Sequence, residues 1–70
     1  MKIKVYTIDC IKCKILEDKL KAKGIDYERV TDTAQMTTDG VDIDAPFPFM
    51  KVDDGEILGY GAAVKFVNSL

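Results

Sequence analysis

Cys10 and Cys13, within the stretch TIDCIKCKIL from Thr7 to Leu16, are the only cysteines of this 70-residue chain, which has no histidine. Two cysteines at this spacing can exchange a disulfide with a partner, supply part of a metal site, or pack as small apolar side chains. Where such a loop opens a helix, the first cysteine lies beside unpaired backbone N–H groups and the positive end of the helix dipole, and both favour thiolate. Cys10 holds that place. Lys12 and Lys14 add positive charge and Asp9 opposes it, so the Cys10 thiol is expected to ionise below the ordinary cysteine range. Cys13, one turn further on, is placed to attack a mixed disulfide formed at Cys10 and release the reduced partner.

The other chemistries need residues that are scarce here. Structural zinc takes four Cys or His ligands, and two cysteines without histidine do not complete such a site within one chain. A two-thiolate copper(I) site, or a cluster shared between two molecules, stays open. Cys-His hydrolase chemistry is excluded because no imidazole can act as base. An isolated cysteine is most often packing, but a Cys-x-x-Cys at a strand-to-helix junction is a more specific arrangement.

The elements that must position the pair can be read around it. Lys2 to Ile8 alternates and is rich in β-branched and aromatic residues, which predicts a strand with Ile3, Val5 and Thr7 on one face. Ile11 to Lys23 reads as a helix with Ile11, Ile15, Leu16 and Leu20 as its apolar face, and with Lys12, Lys14, Glu17, Asp18, Lys19, Lys21 and Lys23 covering the rest. Gly24 after a lysine-rich last turn is the stop signal. Ile25 to Val30 is expected to be a second strand, parallel to the first through a right-handed βαβ unit. The segment from Thr31 to Phe47 has few large apolar residues and holds at most a short helix around Thr33 to Thr38. Pro48 to Val52 and Glu56 to Gly59 read as a hairpin across the turn Asp53 to Gly55. Ala63, Phe66, Val67 and Leu70 recur at helical spacing and predict a closing helix.

Composition sets the outer bounds. Residues 1–70 make one domain near the lower limit for a self-sufficient core. The chain is 47% apolar and 31% charged with a net charge of −2, which gives no general attraction to nucleic acid or anionic membranes. No apolar run suits a signal peptide or a membrane span, so a cytoplasmic setting is expected, in which a disulfide would be transient. Nothing suggests an obligate dimer, and a monomer is the expectation.

At VYTIDCIKCKILEDKLKAKGIDYERV the chain resembles glutaredoxins, closest in kind to the small glutaredoxin-like hydrogen donors of ribonucleotide reductase. The resemblance continues in APFPFMKVDDGEILGYG, where the family has a proline, a strand, a turn, a second strand and a glycine-containing loop. It implies an α/β, thioredoxin-like three-layer sandwich: a four-stranded mixed sheet with helices on both faces, the second helix short or missing. By the same resemblance Cys10 and Cys13 are the catalytic pair, with no tightly bound cofactor and no metal. Pro48 would follow a cis peptide bond beside them, and Phe47 would offer its backbone to a bound peptide or glutathione. Ile11, Lys12 and Tyr60 complete the implied substrate contacts, Tyr60 being expected on an open loop between Gly59 and Gly61. The implied partners are a disulfide-bearing protein, such as ribonucleotide reductase, and an external reductant.

Departures from the family pattern bear on that reductant. Ile11 and Lys12 stand where dithiol glutaredoxins usually have Pro-Tyr, and Ile8 stands near the place of a common lysine. Gly61, Ala62 and Ala63 occupy the region where glutathione users carry an Asp or Ser. A site without those polar groups leaves glutathione's charges incompletely paired. Glutathione and a flavoprotein thioredoxin reductase both stay open as electron sources. The alternative from another class is a copper(I)-binding Cys-x-x-Cys module. Such domains usually have Met two residues before the first cysteine, where this chain has Ile8, and their second half differs from the strand, strand, helix order read here.

Overall fold

The computed structural model describes residues 2–8, 10–53 and 55–70, so Asp9, expected to oppose ionisation of Cys10, and Asp54, in the expected hairpin turn, lie outside the described residues. The chain runs β1 (Ile3–Tyr6), α1 (Ile11–Ala22), β2 (Glu28–Val30), α2 (Thr33–Thr38), β3 (Phe49–Val52), β4 (Ile57–Leu58) and α3 (Tyr60–Asn68). The four strands form one mixed sheet in the order β2-β1-β3-β4. β1 pairs in parallel with β2, setting Tyr6 opposite Val30, and antiparallel with β3, setting Tyr6 opposite Phe49. β3 and β4 form the antiparallel hairpin.

Strand alternation sends side chains into two separate cores. Ile3, Val5 and Met50 pack with Leu16 and Leu20 of α1 and with Ala63 and Val67 of α3. Tyr6 and Val30 point the other way and pack with Met36 of α2, Val41, Phe47 and Cys13. α1 and α3 thus lie together on one face and α2 on the other.

The helices end where the glycines allow it. After α1, Gly24 takes φ +70°; its N–H donates to the Lys21 carbonyl and that of Ile25 to the Leu20 carbonyl. This is the paired closure that favours glycine beyond a helix end. It also explains why β2 is shorter than the expected Ile25 to Val30: the Ile25 N–H is taken by the helix and not by the sheet. Gly40 (φ +92°) and Val41 close α2 in the same manner onto the Thr37 and Met36 carbonyls. Asp32 caps the start of α2 by accepting the Ala34 N–H at 2.9 Å, so both ends of this six-residue helix are held despite its modest helix formers.

Other boundaries differ for local reasons. The peptide bond between Phe47 and Pro48 is cis, and β3 begins at Phe49, since proline has no N–H to give a ladder. Asp53 closes the hairpin turn in the left-handed region at φ 49°, which aspartate tolerates better than most residues. β4 is two residues long because Gly59 already serves as the cap of α3. Leu70, expected on the apolar face of the last helix, lies beyond it and is about half exposed, because the Ser69 N–H closes α3 onto Lys65 and Phe66. No helix among the described residues is long and apolar enough to cross a membrane.

The α2 face is fastened by Asp39. Its carboxylate accepts from the Tyr6 hydroxyl at 2.8 Å and from Gln35 Nε2 at 2.9 Å, with Lys4 Nζ 3.9 Å away. The Tyr6 hydrogen bond does most to hold this carboxyl below its ordinary range; Gln35, Lys4 and Lys51 add to it, against a desolvation that works the other way. A carboxyl whose pKa is lowered on folding stabilises the fold above the unfolded-state value and loses that contribution as pH falls through the folded value. Asp39→Asn is therefore expected to lower the urea midpoint at neutral pH. The gap from wild type should close as the pH drops below the ordinary carboxylate range; a gap constant with pH would show that Asp39's charge adds nothing.

Candidate redox site

Cys10 is the N-cap of α1. Its backbone is extended (φ −84°, ψ 168°) and its carbonyl accepts the Lys14 N–H at 3.0 Å, beginning the helix. Its Sγ accepts the Cys13 N–H at 3.2 Å, the place an Asp or Ser oxygen takes in an ordinary helix cap. The cysteine Cα atoms are 5.0 Å apart and the two sulfurs are at disulfide distance. Cys10 is half-buried, whereas Cys13 has no exposed surface and sits in the core beside Tyr6, Met36 and Phe47.

The residues named with the pair fall into two groups. Phe47 is buried in the same core cluster as Cys13, with its ring edge-on to Phe49 at 5.3 Å between centroids, and Pro48 is fully buried. Cys10 packs against that cluster too, so the structure brings Cys10, Cys13 and Phe47 together. Ile11 and Lys12 are on the outside, Ile11 with 82% of its surface exposed. Tyr60 is not on an open loop: it is the first residue of α3, half-buried, with Lys12 Nζ 5.5 Å from its ring centroid. That is cation–π range, and it links the inside of the Cys-x-x-Cys loop to the start of α3. Gly59 offers α3 no side-chain cap, and its first turn has no acidic residue.

The buried stripe of α1 also differs from expectation. It is Cys13, Leu16, Glu17 and Leu20, while Ile11 and Ile15 are exposed. Glu17, expected on the solvent side, is buried with Arg29 Nε at 2.6 Å and the Tyr27 hydroxyl at 3.3 Å from its Oε1. Burial is the largest effect pushing the Tyr27 hydroxyl above its ordinary pKa, followed by the charge of Glu17 and then by the hydrogen bond to it. A groove of about 400 Å³ opens here beside Cys10, lined by Ile11, Lys14, Glu17, Lys21 and Arg29. Apart from Ile11, sequence reasoning did not assign these groove residues to a site. For the buried stripe, and with it Glu17, the signal was spacing: positions 13, 16, 17 and 20 also follow the helical repeat, with Cys13 in place of a larger apolar residue.

Exposure and hydrogen bonding distinguish the two sulfurs. Once the pair is reduced, iodoacetamide is expected to alkylate the half-buried Cys10 well before the fully buried Cys13. Equal, slow labelling of both would rule out an activated Cys10. No group of three or more His, Cys, Asp or Glu side chains gathers among the described residues. Compared with protein families, curated proteins and solved structures, the chain matches none.

Proposed function

We propose that this protein is a small thiol–disulfide oxidoreductase of thioredoxin-like, glutaredoxin-type architecture, working in a reducing, cytoplasmic compartment. The observation that carries the proposal is the asymmetry of the pair: Cys10 caps α1 with its sulfur on a backbone N–H, and Cys13 is buried behind it at disulfide distance. That N–H and the helix dipole favour negative charge on Cys10, and partial exposure admits a substrate.

The exchange proceeds in two steps. The Cys10 thiolate attacks one sulfur of the substrate disulfide; that S–S bond breaks, and the departing substrate thiolate takes a proton from water. The Cys13 thiol then gives up its proton and attacks Cys10 Sγ, which expels the second substrate thiolate and leaves Cys10 and Cys13 joined. Two electrons pass to the substrate. An external reductant restores the dithiol, either two molecules of glutathione, which leave as their disulfide, or an NADPH-linked flavoprotein thioredoxin reductase. In this reading Phe47, which shares the buried cluster of Cys13, and Pro48 after it shape the docking wall, and Ile11, Lys12 and Tyr60 form the rim that a partner meets. The first turn of α3 carries Gly61, Ala62 and Ala63. Those three residues bring no carboxylate or hydroxyl to hold glutathione's ammonium group, so the flavoprotein is favoured as electron source.

The test is a disulfide reductase assay run in parallel with glutathione plus glutathione reductase and with NADPH plus thioredoxin reductase. Turnover is expected with the flavoprotein and weak turnover with glutathione. No turnover in either arm, with tight stoichiometric copper(I) binding, would overturn the proposal in favour of a metal-binding module.

A further inference from the structure

The groove between α1 and β2 starts at Cys10 and is cationic along its length. Lys14 and Lys21 line it, and its one acid, Glu17, is held by Arg29 and Tyr27, so that Glu17 and Arg29 offset each other. A second depression of about 520 Å³ shares Lys21 and Arg29 and extends past Gly24 to Asp26, where the cationic stretch ends. α1 carries four lysines against two acids in a chain whose net charge is −2, so positive charge is concentrated on this helix, and Lys14 and Lys21 bring it to the groove that Cys10 opens. Apolar surface lies next to it: Ile11 lines the groove, and Ile15 on the following turn is also exposed.

Resting on the disulfide-exchange reading above, we infer that this groove selects substrates. Its occupant is an extended, acidic segment of the disulfide-bearing partner, joined to the cysteine that Cys10 attacks. An apolar side chain of that segment rests on Ile11, and its carboxylates face Lys14 and Lys21. Geometry limits the length of the segment. From Cys10 to Lys21 the helix advances about 16 Å, which about five residues of extended chain cover at roughly 3.4 Å each. The acidic residues therefore lie within about five positions of the reactive cysteine. Charge complementarity of this kind acts mainly on the rate of encounter and fades with added salt.

Three cysteine peptides, each activated as a 2-pyridyl disulfide, test the inference: one with four acidic residues beside the cysteine, one with four lysines, one neutral. The protein used is reduced Cys13→Ala, whose only thiol is Cys10. Cys10 attacks the peptide sulfur, the S–S bond to pyridine breaks, and pyridinethione leaves with the electron pair and takes up a proton, giving an optical rate. At low salt the acidic peptide is expected to react at least about tenfold faster than the lysine peptide, and the ratio should approach one at high salt. Lys21→Glu, about 16 Å along the helix axis from residue 10, should cut the ratio severalfold. Taking a ratio of two peptides cancels any change in the thiolate fraction or in the amount of folded protein. Equal rates for acidic and lysine peptides at low salt, or a ratio that Lys21→Glu leaves unchanged, overturn the groove assignment while exchange at Cys10 stands. Failure of all three peptides to react overturns the exchange reading and the groove together.

Discussion

Replacing Cys10 with serine is expected to lower disulfide reductase activity by at least about a thousandfold, because a neutral hydroxyl is not a nucleophile toward disulfides at neutral pH. Cys13→Ser should behave differently, and the geometry says why. The group that donates to Cys10 Sγ is the backbone N–H of residue 13, which the substitution leaves in place. On the proposed mechanism Cys10 therefore keeps that hydrogen bond and loses only the thiol that would release the partner. The expected outcome is a mixed disulfide that accumulates with an oxidised protein substrate and is cleaved by added dithiol. Residue 13 has no exposed surface, so a serine there buries a hydroxyl at a cost of about 1–3 kcal/mol. Cys13→Ala avoids that cost and should trap the same species. Non-reducing gel mobility and intact mass read the result; if neither variant of Cys13 traps a partner while Cys10→Ser retains activity, the assigned order of attack is wrong.

The second large effect concerns stability. Leu16→Ala should destabilise the fold by about 2–5 kcal/mol, the range for removing a fully buried leucine, from a total of roughly 4–10 kcal/mol for a chain of this length. Leu16 is completely buried between the sheet and α3, on the turn of α1 directly after Cys13. Ile11→Ala, on the outer side of the same helix, should change stability by no more than about 0.5 kcal/mol. Urea midpoints of the two variants decide which stripe of α1 faces the core. Similar losses for both would show that Ile11 also packs into the core.

The same two stripes show how far the chain could be read in advance. The order of elements, the parallel βαβ pairing and the hairpin follow from alternation, from Gly24 and from the turn before Gly55. The short α2 is found at Thr33–Thr38, in the segment read as holding at most a short helix before Gly40; Asp32, which caps its start, is not part of that reading. What periodicity does not decide is which of two overlapping stripes wins on a helix with apolar residues on more than one side. Ile11, Ile15, Leu16 and Leu20 form one apolar set; Cys13, Leu16, Glu17 and Leu20 form the buried one. The choice is made by partners distant in the sequence: Arg29 and Tyr27 supply the groups that let Glu17 be buried, and no pattern local to α1 contains them. Tyr60 illustrates a similar limit. Two flanking glycines suggest an open loop, yet Gly59 ends as a helix cap and Tyr60 opens α3 beneath Lys12.

The lengths of the outer strands bear on how the protein meets its own copies. Every sheet with open edges exposes unpaired N–H and C=O groups on which another chain can template, and long, flat, apolar edges are the usual origin of aggregates. Here the edges are β2 with three residues and β4 with two, and β2 carries the charged side chains of Glu28 and Arg29. Such short borders give a second copy too little backbone to zip onto, so the sheet resists self-templated growth even when the protein is concentrated.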